Sequence, residues 1–291
     1  MQRSTVYYAL YQQTQATDGV EFTWGCPITG CRMEGGKAIV TTDTDEHPYD
    51  LCLLTAGSNG TVAGAHFGNK IKRSYQWGCR WSTISLPEAL SANTLHQRCQ
   101  SSRKMMGILP VGNAGQGQMA ALYWSVMVSQ YQQAGAEQLL EAKKEICEFW
   151  PQAGSSIQSL APSDFSVATY NDVWTPQPHH QRIVVLGDAS HATSPQLGQG
   201  CTMELLDAWL LAHCMTSEHA IEKALATWWA LRKHQLMYVR HLSRFLTPLY
   251  QSDRRRYAWF RDNVVAPMGR LPGLYRLQLK TLASEVLLKN K

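Results

Sequence analysis

No stretch of this 291-residue sequence approaches the roughly 18 consecutive apolar residues that a membrane-spanning helix needs. Its apolar runs, such as Leu51 to Leu54 and Ile183 to Leu186, are strand-length. The start, MQRSTVYYALYQQ, has neither the apolar core nor the small-residue cleavage site of a signal peptide, which predicts a cytoplasmic protein. CxxC pairs are missing as well. The eight cysteines (Cys26, Cys31, Cys52, Cys79, Cys99, Cys147, Cys201, Cys214) are scattered, which favours reduced packing thiols over a disulfide frame or a zinc site, so no metal is expected. There is no internal repeat and no low-complexity tract. Excess charge is also scarce: a net charge of +5 argues against nucleic acid as a partner. Much of it falls late, in Arg254, Arg255, Arg256, Arg261, Arg270 and Arg276, which reads as a solvated helical face, with peripheral contact to anionic lipid as the alternative.

What is present reads as a mixed α/β chain. Ser4 to Gln15 is a helix candidate, and Val20 to Trp24 and Lys37 to Thr42 read as strands. Asp50 to Thr55 is apolar enough for a strand buried on both faces. Between Lys70 and Val128, the segments Arg80 to Ser85, Met105 to Val111 and Met119 to Val126 predict an antiparallel sheet, and Ser129 to Trp150 a helix that Pro151 stops. Arg182 to Leu186 is again a buried strand. After Thr202 the chain reads helical, with Ser217 as a cap, breaks near Pro248, Pro267 and Pro272, and a packing stripe of Leu225, Trp228, Trp229, Leu236 and Phe245.

Chemistry concentrates in RIVVLGDASHATSPQLGQG, residues 182 to 200. A strand ending in Gly187-Asp188 places a carboxylate at the carboxyl edge of a sheet, where open α/β folds bind ligands. Asp188 there can accept from a ribose hydroxyl. Gly198 and Gly200 let backbone approach a ligand, and a helix starting near Cys201 aims free N–H groups and its positive dipole end at it. On spacing alone the stretch reads equally as a capped turn with loop-shaping glycines.

The run Gly187-Asp188-Ala189-Ser190-His191, then Pro195, Gly198-Gln199-Gly200 and Asp207-Ala208, resembles the second flavin motif of the FAD-dependent aromatic hydroxylases (the p-hydroxybenzoate hydroxylase type), GDAAHxxxPxxGQGxNxxxxDA. The resemblance implies that Gly187 and Asp188 serve the FAD ribitol or ribose, that Pro195 sits beside the isoalloxazine, and that Gly198, Gln199, Gly200, Cys201 and Thr202 line its pyrimidine edge. Arg3 resembles the family's helix-leading arginine that contacts flavin. Thr202 stands where the family has Asn, and Gly57-Ser58 where it has Asp-Gly. His191 is expected to be a structural loop histidine.

The family's opening strand–GxGxxG–helix unit has no counterpart near Met1, and the sequence corresponds to the family from roughly one hundred residues in. Gly115 to Ala120 fits GxGxxA but reads as a hairpin loop. The implied fold is an incomplete doubly wound FAD-binding domain, residues 1–66 and 160–216, with an inserted antiparallel substrate-binding sheet at 67–159 and C-terminal helices at 217–291. The implied function is an FAD-dependent monooxygenase, truncated or split, using O2, NADH or NADPH and a small aromatic or hydrophobic substrate, with a separate N-terminal chain as a candidate partner. No catalytic residue is singled out. Two other readings stand beside it: a non-catalytic binding module on the same fold, and a serine hydrolase using Ser58 with Asp188 and His191.

Overall fold

The computed structural model describes residues 3–62, 66–67, 71–113, 117–130 and 136–287. Eleven strands are described in chain order: β1 (Ile28–Glu34), β2 (Lys37–Thr42), β3 (Glu46–Tyr49), β4 (Cys52–Leu54), β5 (Ile71–Ser85), β6 (His96–Gln100), β7 (Lys104–Asn113), β8 (Gln118–Met127), β9 (Ser166–Trp174), β10 (His179–His180) and β11 (Ile183–Val185). The α-helices are α1 (Arg3–Gln15), α2 (Ala136–Phe149), α3 (Gly154–Gln158), α4 (Asp188–His191), α5 (Gly200–Ser217), α6 (Ile221–Tyr250), α7 (Arg255–Phe260), α8 (Ala266–Met268) and α9 (Pro272–Leu282). The chain is mixed α/β, as expected. It divides into two compact units, one of residues 1–24, 76–169 and 250–255, the other of residues 25–75, 170–249 and 256–291.

In the first unit β6, β7, β8 and β5 pair antiparallel in that order, within a five-stranded sheet that β9 completes. The alternation of the strands decides which side is covered. Met106 and Ile108 of β7, and Ala120, Leu122 and Trp124 of β8, share one face and are buried against Ile146 of α2, Trp150, Ala153 and Ile157. Asn113 pairs with Gln118, so the GxGxxA look-alike joins two hairpin strands, although Gly115 itself lies outside the described residues.

The second unit holds two small sheets, β1-β2-β3 and β10-β11-β4. β11 pairs parallel with β4, Val184 opposite Leu53. All three β11 residues are buried, and they alternate between two cores. Ile183 and Val185 pack with Cys31, Ala38 and Cys52, whereas Val184 packs with Leu210, Leu225 and Trp228. Each such side chain contributes about 1.5–3 kcal/mol on burial, which is why this strand carries the loop that follows it.

Several expectations are corrected. Val20 to Trp24 forms no strand. Phe22 and Trp24 instead stack at 5.6 Å and meet Tyr11 of α1 edge-on, so the segment spends its aromatics on α1. β4 is not buried on both faces, since Leu53 is 45% exposed. The helix expected from Ser129 is described from Ala136 on. Ser217 ends α5 and donates to the His213 carbonyl at 2.8 Å rather than capping α6. Pro248 sits inside α6, two residues from its end, so the helix runs on through the expected break and forgoes the one hydrogen bond that this residue would have donated to the carbonyl four residues before it. Arg261 is buried rather than solvated and donates to the Leu249 carbonyl at 3.0 Å. Phe245 is half exposed and leaves the packing stripe, while Trp228 is buried in it.

Candidate functional site

The strand-to-helix turn of the second unit is built around two glycines and one carboxylate. At Gly187, φ is 58° and an added Cβ would lie 3.0 Å from Glu204 Cγ, so only glycine lets β11 turn so close to α5. Glu204 Oε1 then accepts the Asp188 N–H at 3.2 Å. Asp188 opens the one-turn helix α4 with its side chain partly exposed, and its carboxylate meets no hydrogen-bond donor among the described residues. It is free to accept from a ligand.

Past α4 the backbone is pinned from below. The Ser194 hydroxyl lies 2.9 Å from that of Ser243 and 2.5 Å from that of Thr247, both on α6. Pro195 to Leu197 form one 3₁₀ turn that ends at Gly198 with φ 63°, a left-handed conformation suited to glycine. A Cβ added at Gly198 or at Gly200 would meet nothing within 4 Å. The Met203 N–H to Gln199 carbonyl bond, 2.9 Å, is the first of α5. The N–H groups of Gly200, Cys201 and Thr202 therefore have no intrahelical acceptor, no side chain among the described residues caps them, and no acid stands in the first turn. The same loop carries a buried donor without an acceptor among the described residues, Gln196 Nε2.

An uncapped helix end, open space over two glycines and an unpaired carboxylate together suit a flat ligand with acceptor atoms on one edge and hydroxyls at some distance. The residues fit a flavin.

Beneath the loop lies a buried charge network. His191 Nε2 donates to Asp207 Oδ2 at 2.5 Å, and Arg232 Nε donates to Asp207 Oδ1 at 2.7 Å. Burial pushes the Asp207 carboxyl up, but His191 and Arg232 outweigh it and hold the group below the usual carboxylate range. His191 is thus a structural histidine of this network. Ser58 lies in a turn rather than at the head of a helix, and its hydroxyl accepts from Asn171 Nδ2 at 3.0 Å. A nucleophile elbow needs a helix there, so the hydrolase arrangement is not assembled.

The structure thus brings together, in one unit, Gly187, Asp188, Pro195, Gly198, Gln199, Gly200, Cys201 and Thr202. Arg3 begins α1 in the other unit, and its side chain lies outside the described residues. The thiols of Cys31 and Cys52 are neighbours and buried, and burial pushes Cys52 up to about 12, which suits packing rather than reactivity. Sequence reasoning missed Glu204, Arg232, Gln235 and Ser284. Glu204 lies inside the motif region, but the other three sit on distant helices or turns with no local pattern to mark them.

This is the fold of FAD-dependent monooxygenases. The chain superimposes on Klebsiella pneumoniae HpxO, solved with FAD and uric acid, with a TM-score of 0.80 at 18% identity, covering 99% of this chain and 72% of that one. PqsL from Pseudomonas aeruginosa, a probable FAD-dependent monooxygenase, matches with a TM-score of 0.71 at 17% identity, covering 89% and 72%. In sequence, the chain is 32% identical over 119 residues to the 2-heptyl-3-hydroxy-4(1H)-quinolone synthase of Pseudomonas aeruginosa, a match covering 38% of this chain and 30% of that enzyme. The match therefore spans under a third of that curated relative's length. No protein-family model matches the chain.

Proposed function

We propose that this chain carries the flavin-ring and substrate-bearing parts of an FAD-dependent monooxygenase that acts, with O2, on an aromatic or other hydrophobic small molecule. The observation that supports this most is the uncapped start of α5 beside open space at Gly198 and Gly200. FAD, once bound and reduced by NADH or NADPH, supplies the oxygen activation. The chain's own residues bind and orient. Asp188 accepts from a ribityl or ribose hydroxyl, Pro195 packs beside the ring, and the N–H groups of Gly200, Cys201 and Thr202, with the positive end of α5, favour negative charge at the ring's pyrimidine edge. In this reading residues 1–66 and 160–216 serve the cofactor, 67–159 the substrate, and 217–291 buttress the loop.

A second chain bearing a strand–GxGxxG–helix unit fits the same reading. Among the described strands β4 stands at the edge of its sheet, so its outer backbone border is open to one more strand. No helix of the described residues is long and apolar enough to cross a membrane. We place the protein in the cytoplasm, with peripheral contact to anionic lipid through α9, where exposed Leu271, Tyr275, Leu279 and Leu282 are flanked by Arg276 and Lys280.

The test is a titration of the purified chain with FAD, alone and with a supplied GxGxxG unit. A yellow protein whose thermal midpoint rises with FAD concentration is expected. A protein that stays colourless, with an unmoved midpoint in both arms, favours a non-catalytic binding module on the same fold.

A further inference from the structure

Gln199, the residue that leads into α5, is buried, and both atoms of its side-chain amide are held by one distant segment. Its Oε1 accepts the Ser284 hydroxyl at 2.6 Å, and its Nε2 donates to the Leu282 carbonyl at 3.3 Å. Ser284 lies in the turn after α9, with φ 59°. That turn is itself anchored. The Ser284 carbonyl accepts Gln235 Nε2 at 2.6 Å, Gln235 Oε1 accepts Arg232 Nη1, and Arg232 Nη2 donates to the Met203 carbonyl at 3.1 Å. The hydrogen bonds therefore close a ring that leaves α5 at Gln199, passes through the turn after α9 and the middle of α6, and returns to α5 at Met203.

Gln199 immediately precedes the three N–H groups left open at the start of α5. Its side chain fixes its own backbone, and that backbone sets the direction in which Gly200, Cys201 and Thr202 point. We propose that Ser284, acting through Gln199, is a positioning residue for the flavin cradle, holding the open N–H groups of α5 in register with the ring edge they meet. This rests on the flavin reading above, and it adds a part of the chain that the motif does not include.

Ser284→Gly tests it, because glycine suits the left-handed backbone at this position and keeps the carbonyl that Gln235 needs, while deleting the CH2OH group that reaches Gln199. Gln199→Met removes the other half of the clasp at similar length. Three quantities are read: the thermal midpoint without FAD, the FAD dissociation constant, and the visible spectrum of bound FAD. Ser284→Gly is expected to leave the midpoint nearly unchanged, because relief of the left-handed backbone offsets the lost hydrogen bond, to weaken FAD about tenfold, and to shift the flavin bands. Ser284→Asn, which tolerates the same backbone and restores an N–H donor, should recover part of both flavin effects. The double variant should lose no more than Gln199→Met alone, since both break one contact. Wild-type affinity and spectrum in Ser284→Gly, or additive losses in the double variant, would overturn the inference while leaving the flavin reading intact. Wild-type protein that takes up no FAD would overturn both.

Discussion

Asp207 accepts His191 on one carboxylate oxygen and Arg232 on the other, at 2.5 and 2.7 Å. One buried carboxylate thus ties the loop after β11 to α5 and α6. Arg232 is fully buried, so its charge depends on this partner. Asp207→Asn is expected to cost about 3–5 kcal/mol, because it strands a buried cation. Urea unfolding measures it, and a loss under about 1 kcal/mol, the worth of a surface pair, would show that the network is not a stabilising one.

The same carboxylate predicts acid sensitivity. Its folded pKa is lowered, so the stability it contributes is complete above the unfolded value near 3.8 and is lost as pH falls through the folded value. Unfolding free energy should therefore decline below about pH 4, and Asp207→Asn should flatten that decline. Parallel profiles for the two proteins would count against this assignment.

Gly200→Ala separates binding from folding. The position is helical and open, so alanine should leave stability unchanged or raise it by up to about 1 kcal/mol. The added methyl group enters the space assigned to the ring edge, and FAD affinity should fall at least about tenfold. Thermal melts without FAD, set beside a fluorescence titration with it, read the two effects separately.

Asp188→Ala should behave likewise for a different reason. Among the described residues the carboxylate has no donor to lose, so the fold should melt within about 0.5 kcal/mol of wild type. Loss of a charge-assisted bond to a sugar hydroxyl should weaken FAD by about 1.5–3 kcal/mol. Unchanged affinity would remove Asp188 from the site.

What the sequence made legible was local. Ile183 to Val185 announced a buried strand by composition, whereas Gly198 and Gly200 suited open backbone and a shaped loop equally until the resemblance to the flavin motif was added. The five strands of the sheet that carries β5 were partly readable from Arg80 to Ser85, Met105 to Val111 and Met119 to Val126. β6, HQRCQ, was not, because none of its residues is buried and no alternation marks it. Val20 to Trp24 misled because its β-forming aromatics, though exposed, stack on each other and meet Tyr11 of α1 edge-on instead of joining a strand. The clasp on Gln199 was invisible, since its donor stands 85 residues away on a turn whose sequence, Ala-Ser-Glu, carries no motif.

That separation sets an order of events during synthesis. Translation adds about 5–20 residues per second, and the motif around Gln199 emerges well before Ser284 does. Until Ser284 leaves the ribosome the loop lacks that fastening, so on the flavin reading a nascent or C-terminally clipped molecule should take up FAD more weakly than a chain that carries Ser284.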